Sequence, residues 1–499
     1  VFAKILQWIR EFLNKMIPIT GVKDALKVDV AISQDMATAL QNWALMYSNH
    51  ASWLSTDIRS LNLPAAIASE ISRAVTIEMT AEISGSARAN YLAEQLKPVL
   101  TRIRAATEYG SAKGGLMFKP YVKGGNLYID YVQADQFYPV AFDANQNITA
   151  CVFSDVRTSG GKWYTRLEYH QMIDGGCQII QKAYKSDTQS ILGNEVPLSS
   201  VADWAELEQE ALISNIDAPL FAYFRYPSAN NIDPTSPLGV SCFARAVDQI
   251  EQADKIYSNL VWEFESGKRA IYADTQAFDV GSDGKPKLPD KRLYRALNGV
   301  GDIGQGGKLF EAWSPEFREA AIKAGLNDVL RIIEFNCGLA YGTLSDPNVE
   351  ANTATEIKMQ KQRSFATITD TQKALESALN QLLYAMDVWA TLYNLAPRGT
   401  YKAVFSWDDS IVADHDQQFL QDQQVVTMSA MPLYTFLMRN YGLSETDAKK
   451  WVAEAQEEKT AAMDLFSTPA KTDPNATPDN PMQNQDMTNN QMMQDKQAA

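Results

Sequence analysis

Asn231-Ile-Asp-Pro-Thr-Ser-Pro-Leu-Gly-Val-Ser241, together with the helix it opens, is the stretch that decides the fold. Asp233-Pro234 and Ser236-Pro237 read as turns, because a proline pushes its predecessor out of the helical region. Beyond them Val240, Phe243, Val247, Ile250, Tyr257, Val261 and Phe264 fall at alternating three- and four-residue steps. Asp254 interrupts this otherwise regular heptad seam. Such a helix, of about 25 residues, would be roughly 40 Å long at about 1.5 Å per residue. It stops near Gly267.

A second long helix runs back. Ser314 is its expected N-cap, Pro315 its first helical residue and Glu316 part of its first turn. It carries Phe317, Ala321, Val329, Leu330 and Ile333 and ends at Gly338. On pattern alone the two form a helical hairpin joined by an irregular, Gly-rich and mildly basic loop.

The wording is more specific than the pattern. NIDPTSPLGVSCFARAVDQIEQADKIYSNLVWEFE, from Asn231 to Glu265, closely resembles the stem helix of bacteriophage portal proteins, in the branch of long-tailed, siphovirus-type phages of Gram-positive hosts. Asn62–Met79, Ile83–Gln95, Ala112–Val122, Val132–Asp143, Arg166–His170 and Thr353–Ile357 are similar to the same family, in the same order. The resemblance runs from about Val28 into the 460s.

It implies an α+β, mainly helical portal fold. Residues 1–237 would be the wing, helical over 1–111 and β-rich over 112–225. Residues 238–267 would be stem helix 1, 268–313 the clip and 314–338 stem helix 2. Residues 339–412 would hold the tunnel loop, a long kinked helix and a wing strand. The crown would be 413–467, and 468–499 a disordered tail. The resemblance further implies a homo-oligomeric ring of about twelve subunits at the virion's portal vertex, assembled in the host cytoplasm. Double-stranded DNA would pass through it. Its partners would be terminase, head-completion or adaptor proteins, and the major capsid and scaffolding proteins.

Composition agrees with a large cored protein. The chain has 499 residues, 45% of them hydrophobic, enough for several units. No run of about 20 apolar residues is present, so no transmembrane span is expected. Val1–Ile17 is amphipathic, with Phe2, Ile5, Leu6, Ile9, Phe12, Leu13 and Met16 on one face, and reads as a helix docked on the rest of the protein. Cys151, Cys177, Cys242 and Cys337 show no CxxC spacing and read as buried thiols. The formal net charge is −15. This argues against a tight grip on nucleic acid, whose affinity comes from Lys and Arg displacing counterions. It suits a conduit with non-sticky walls.

Along the chain, helices are expected over the first hundred residues, with Pro98 as a kink. Short alternating strands follow from Leu116 to about Tyr184, divided by glycine pairs. A polar helical piece is expected around Val201–Glu210 and a strand at Leu220–Phe224. Thr353 and Glu356 form a capping box for a helix running to about Leu395, with Leu375, Leu379, Leu382, Met386, Trp389 and Tyr393 on one face. A strand at Thr400–Trp407 precedes helices from about Asp416 to Ala462. The tail from Thr468 has no aromatic, Ile, Leu or Val residue and cannot order itself alone.

Little in this chain suggests catalysis. Gly299-Val-Gly-Asp-Ile-Gly304 matches a dinucleotide fingerprint but lacks the flanking strand and helix, and no GxxxxGK[ST] occurs. The acidic pairs Asp408-Asp409 and Asp414/Asp416 suit a helix start better than a divalent ion. With three histidines (His50, His170, His415), no catalytic residue, metal or cofactor is assigned. By family position the tunnel loop comprises Leu344, Ser345, Asp346, Asn348, Glu350, Asn352 and Thr353, acidic and polar with no lysine or arginine. Clip docking falls to Lys285, Lys287, Lys291, Arg292 and Arg295. Packing between stems falls to Phe243, Val247, Ile250, Tyr257, Val261 and Phe264, with Trp262 beside them. The alternatives are a metal-dependent nuclease or hydrolase, and a capsid or tail adaptor that does not conduct DNA.

Overall fold

The computed structural model describes residues 19–188, 191–267, 270–274, 279, 294–297, 310–313, 316–346, 354–407 and 415–466. Within them the fold is mixed α+β. Val1–Ile17, the fingerprint at Gly299–Gly304, Asp408, Asp409, Asp414 and the tail beyond Phe466 lie outside the described residues. The chain divides into two units, Val1–Val412 and Ala413–Ala499.

The first unit begins with helices α1 (Ile19–Leu26), α2 (Gln34–Tyr47) and α3 (Leu63–Thr76), strand β1 (Thr80–Ser84) and helix α4 (Ala87–Lys113). The Ser33 side chain caps α2 by accepting from Met36 N, and Ser86 caps α4 by accepting from Ala89 N. Pro98 lies inside α4, which continues to Lys113. Strands β2 (Gly115–Lys123) and β3 (Asn126–Gln133) follow. Then come β4 (Phe137–Phe142), β5 (Ile148–Ser159), β6 (Lys162–Ile173), β7 (Gly176–Ser186), β8 (Asn194–Val196), β9 (Glu210–Ser214) and β10 (Ala222–Arg225).

The expected antiparallel β region is present as two sheets. One has the order β10-β2-β3; the other runs β4-β5-β6-β7-β8, with β9 on the far end of β7. The glycine pairs Gly124-Gly125, Gly160-Gly161 and Gly175-Gly176 sit at the hairpin turns. Helix α1 covers the larger sheet, burying Val22 with Tyr138, Val152, Leu167 and Tyr169. The polar piece near Val201–Glu210 is not an α-helix as the sequence suggests. Short 3-10 turns at Leu198–Ser200 and Ala202–Trp204 lead into β9. Trp204 is buried with Ala183 and Leu198 and donates its indole N–H to Asp155 Oδ2 at 3.1 Å, tertiary contacts that outweigh the local helical propensity.

Helix α5 (Val247–Ser266) and helix α6 (Glu319–Cys337) flank a three-stranded sheet of β11 (Ala270–Asp274), β12 (Tyr294–Leu297) and β13 (Phe310–Trp313). Strand β11 is central, parallel to β12 and antiparallel to β13. The excursion between the helices is thus not wholly irregular. Helix α7 (Ala354–Leu392) and strand β14 (Lys402–Ser406), which pairs with β1, complete the unit. Leu375, Leu379, Leu382 and Met386 on α7 are buried, as the helical face requires, whereas Tyr393 is exposed. One core joins α2, α3, α4, α5, the smaller sheet and α7.

In the second unit helices α8 (His415–Thr427), α9 (Leu433–Tyr441) and α10 (Glu445–Phe466) pack about Phe419, Phe436 and Tyr441. Buried Asp422 accepts from Arg439 Nη1 and Asn440 Nδ2, both at 3.1 Å.

All four cysteines are buried and unpaired. Burial raises each thiol, Cys177 to about 11 and Cys337 to about 12. No helix among the described residues is long and apolar enough to cross a membrane.

The stretch before α5 departs most from expectation. The helix starts at Val247, not near Leu238; residues 238–243 are irregular and a 3-10 turn at Ala244–Ala246 precedes it. Ser236 Oγ accepts from Leu238 N and Ser241 Oγ from Phe243 N, both at 3.3 Å, while Cys242 N donates to Ser111 O at 2.9 Å. These bonds hold the backbone away from helical geometry. Gly239 crosses Gly114, the left-handed C-cap of α4 (φ +84°), so closely that a Cβ on either would overlap the other's carbonyl. Gly239→Ala is expected to lower the denaturation midpoint by the equivalent of roughly 2 kcal/mol or more. Gly325→Ala, in open space on α6, should gain about 0.5 kcal/mol or more.

A buried charge cluster joins the two wing sheets. Glu168 on β6 meets Lys119 Nζ at 2.8 Å, Arg166 Nη2 at 3.2 Å and His170 Nε2 at 2.7 Å. Burial alone would raise the Glu168 carboxyl, but Lys119, His170 and Arg166 outweigh it and hold it well below the usual carboxylate range. A depressed folded-state value stabilises above the ordinary carboxylate pKa of about 4.3, and that stability disappears as pH falls through the folded value. Thermal melts of Glu168→Gln should therefore be destabilised by roughly 3 kcal/mol at neutral pH. The difference from the wild type should close only as pH falls from about 4.3 through the depressed folded value of Glu168.

Candidate functional site

Two polar pairs define the stem. Near its C-terminal end α5 presents Glu263, which accepts from Arg318 N and Arg318 Nη2, both at 3.0 Å. Near its start Gln249 Oε1 accepts from Asn336 Nδ2, close to the end of α6, at 3.4 Å. The helices are therefore antiparallel, as the sequence predicts. Helix α6 begins four residues later than expected: Glu316 precedes it, Arg318 is the N-cap, and Ser314 and Pro315 lie outside the described residues. Phe317 is held against Phe264 at 5.6 Å between ring centroids, and with Arg318 on Glu263 this contact sets where the return helix starts.

The seam on α5 splits between two environments. Phe243 and Ile250 are fully buried inside the subunit's own core, so as packing residues between stems they are corrected: neither has surface left to offer. Val247, Tyr257 and Val261 are half-buried, and Phe264 is 44% exposed. Trp262 is 65% exposed, and Phe317 just before the return helix and Ile332 and Phe335 on it are all about half exposed.

Asp254, the seam's polar interruption, is buried. Its Oδ1 accepts from Leu61 N at 2.7 Å and its Oδ2 from Trp53 Nε1 at 2.9 Å. One turn on, Ser258 Oγ accepts from Arg59 N at 2.8 Å. The loop between α2 and α3 is thus laced to the stem helix. Burial raises the Asp254 carboxyl, opposed by these two hydrogen bonds.

The end of α6 builds the base of the next loop. Gly338 adopts left-handed geometry, Leu339 N donates to Glu334 O at 2.9 Å and Gly338 N to Phe335 O at 3.3 Å, which is a Schellman termination. The Glu334 carboxylate, fully buried, accepts from Leu344 N at 2.6 Å, Ser345 N at 2.8 Å and Ser345 Oγ at 2.8 Å. Asn327 Oδ1, two turns back, accepts from Asp346 N at 2.7 Å. Helix α7 touches the same place: Thr367 Oγ1 donates to Gly338 O at 3.1 Å, and the Arg363 guanidinium lies 4.1 Å over the Phe335 ring.

Of the tunnel-loop residues, Leu344, Ser345 and Asp346 are therefore bound to α6, with only Asp346 exposed. Asn348, Glu350, Asn352 and Thr353 lie outside the described residues, as do the clip residues Lys285, Lys287, Lys291 and Arg292. Arg295 falls on β12, an edge strand of the three-stranded sheet, opposite Tyr272. Among the described residues no group of three or more His, Cys, Asp or Glu is placed to hold a metal ion.

Residues 100–461, which take in most of the β region, both long helices and the small sheet between them, fit the family described as "Phage portal protein, SPP1 Gp6-like". The chain belongs to the phage portal protein family. That family is structural rather than enzymatic. No curated protein matches the portal chain in sequence. Among solved structures, a chain of "Neck of native GTA particle computed with C12 symmetry" is similar at TM-score 0.39 and 10% identity, over 87% of this chain and 98% of that one. That likeness is too loose to carry weight.

Reading the sequence missed Glu334, Asn327 and Arg363. A carboxylate inside an amphipathic helix reads as a solvated position, and only its seventh-residue spacing from Asn327 hinted at a shared face. The lacing of stem to wing is directly testable. Asp254→Ala should leave two partly buried donors without an acceptor and lower stability by about 1–2 kcal/mol, read from the urea midpoint. The Trp53 emission should shift red in the folded baseline.

Proposed function

We propose that this portal chain assembles into a closed ring of about twelve subunits at one capsid vertex of a long-tailed phage of a Gram-positive host. Double-stranded DNA is packaged and ejected through the ring. The stems pack side by side and set the channel width. The segment 268–313 presents the docking surface for terminase and later for head-completion proteins, with Lys285, Lys287, Lys291, Arg292 and Arg295 as the contact. The polar loop that begins at Leu344 faces the DNA, and residues 413–467 face the capsid interior, where capsid and scaffolding proteins meet the ring during assembly in the host cytoplasm.

The family match carries this reading. The stem surface supports it: Trp262, Phe264, Phe317, Ile332 and Phe335 all stay at least 44% exposed on one helical hairpin. Large exposed apolar groups concentrated on one element mark an interaction surface. The formal charge of −15 fits a wall that lets phosphates slide rather than one that grips them.

Native mass and negative-stain imaging of the purified chain test it. At 55.5 kDa per chain, a twelve-membered ring would weigh about 670 kDa and show a channel wider than duplex DNA end-on, as closed cyclic symmetry requires. Trp262→Asp combined with Ile332→Asp should shift the mass to small species. Both residues are surface positions in the single chain, so the melting temperature of the unassembled subunit should move little. A closed dimer without a channel would favour an adaptor that does not conduct DNA and defeat the portal-ring reading.

A further inference from the structure

The end of the return stem helix holds two neighbours with unequal strength. Residues 344–346 are fixed to α6 by four hydrogen bonds, three of them to the fully buried Glu334 carboxylate and one to Asn327. Leaving a buried hydrogen bond of this kind unmade is expensive. Helix α7 meets the same helix end through one hydroxyl bond, Thr367 Oγ1 to Gly338 O, and through the exposed Arg363 guanidinium over Phe335 and Tyr341. An exposed cation–π contact is weak. A cavity of about 140 Å³ opens between α3, the turn after α6 and α7, lined by Ile71, Ala74, Leu339, Thr343, Thr367 and Ile368. Tight packing would resist a relative shift, and here α7 has space beside it.

We propose that Glu334 is a positioning residue: it makes residues 344–346 part of the α6 body, so that they follow the stem helix while the 363–368 stretch of α7 shifts against both. The inference rests on the portal reading for its meaning, since it assigns the start of the DNA-facing loop to the stem rather than to the long helix. Its physical content does not depend on that reading. The carboxylate is required because two backbone N–H groups and one hydroxyl converge on it, and each needs an acceptor once buried. Glutamine keeps one carbonyl oxygen for the two N–H groups. Leucine keeps the volume and removes every acceptor.

The experiment is site-resolved hydrogen exchange on the purified full chain, for wild type, Glu334→Gln, Glu334→Leu and Asn327→Leu. In Glu334→Leu the Leu344 and Ser345 amides should exchange at least about tenfold faster, with the amides of α6 before Asn327 unchanged. Glu334→Gln should stay within about threefold of wild type, and Asn327→Leu should release only the Asp346 amide. Unchanged exchange at Leu344 and Ser345 in Glu334→Leu would overturn the proposal. So would acceleration spread evenly through α6 and the core, which would make Glu334 a general packing residue. Should Glu334→Leu not fold, Asn327→Leu and Ser345→Ala probe the same clamp one bond at a time, and exchange unchanged in both overturns it. In assembled particles, Glu334→Leu should keep the wild-type ring mass yet retain less DNA. Failure of the wild-type chain to form rings counts against the portal reading alone, because the exchange data decide the clamp independently.

Discussion

Gly239 lying against Gly114 is the contact on which the subunit depends. At Gly114 helix α4 stops and β2 starts; Gly239 belongs to the segment that leads into the stem. Tyr226 N donates to Gly114 O at 3.1 Å, and Gly239 N donates to Tyr223 Oη at 3.1 Å. Four pieces of chain therefore converge where no side chain fits. Each buried backbone group there needs a partner, and the crossing supplies partners while fixing the angle at which the stem leaves the wing. A helix begun at Leu238 would have kept its own backbone bonds and lost these.

Around this crossing, buried charges do the fastening. Asp254 holds the α2–α3 loop, Glu334 holds residues 344–346, and Arg88, 1% exposed, donates to the carbonyls of Asp387, Ala396 and Pro397 where α7 ends. Each is satisfied mainly by backbone, so each converts an otherwise loose connection into part of the rigid body. Such groups specify geometry more than they add stability, because desolvation offsets most of the attraction. In the proposed ring this rigidity would matter, because a small angular error in one wedge would repeat at every interface.

The same economy explains what is left uncovered. Phe243 and Ile250 close the subunit's own core, while Trp262, Phe264, Ile332 and Phe335 stay at the surface of the hairpin. A single chain thus leaves large apolar groups of this hairpin uncovered, which a stable monomer rarely does. Ring closure, as proposed, would remove that imbalance.

Much of this was legible in the residues themselves. The antiparallel hairpin, the antiparallel β region between glycine pairs, the buried face of α7 and the four buried thiols follow from periodicity and turn chemistry, which act within a few residues. The family could be read too, because the wording from Asn231 to Glu265 is specific. The start of α5, the 3-10 turns at Trp204, the sheet between the stem helices, and the roles of Asp254, Glu334 and Asn327 were decided only in three dimensions. For three of them the deciding partner is remote: Ser111 for Cys242, Asp155 for Trp204, Leu61 for Asp254. Local sequence fixes which conformations are cheap, but a buried donor takes whichever acceptor the tertiary fold brings within 3 Å. That choice is made by packing, between residues too far apart in the chain for any pattern to register.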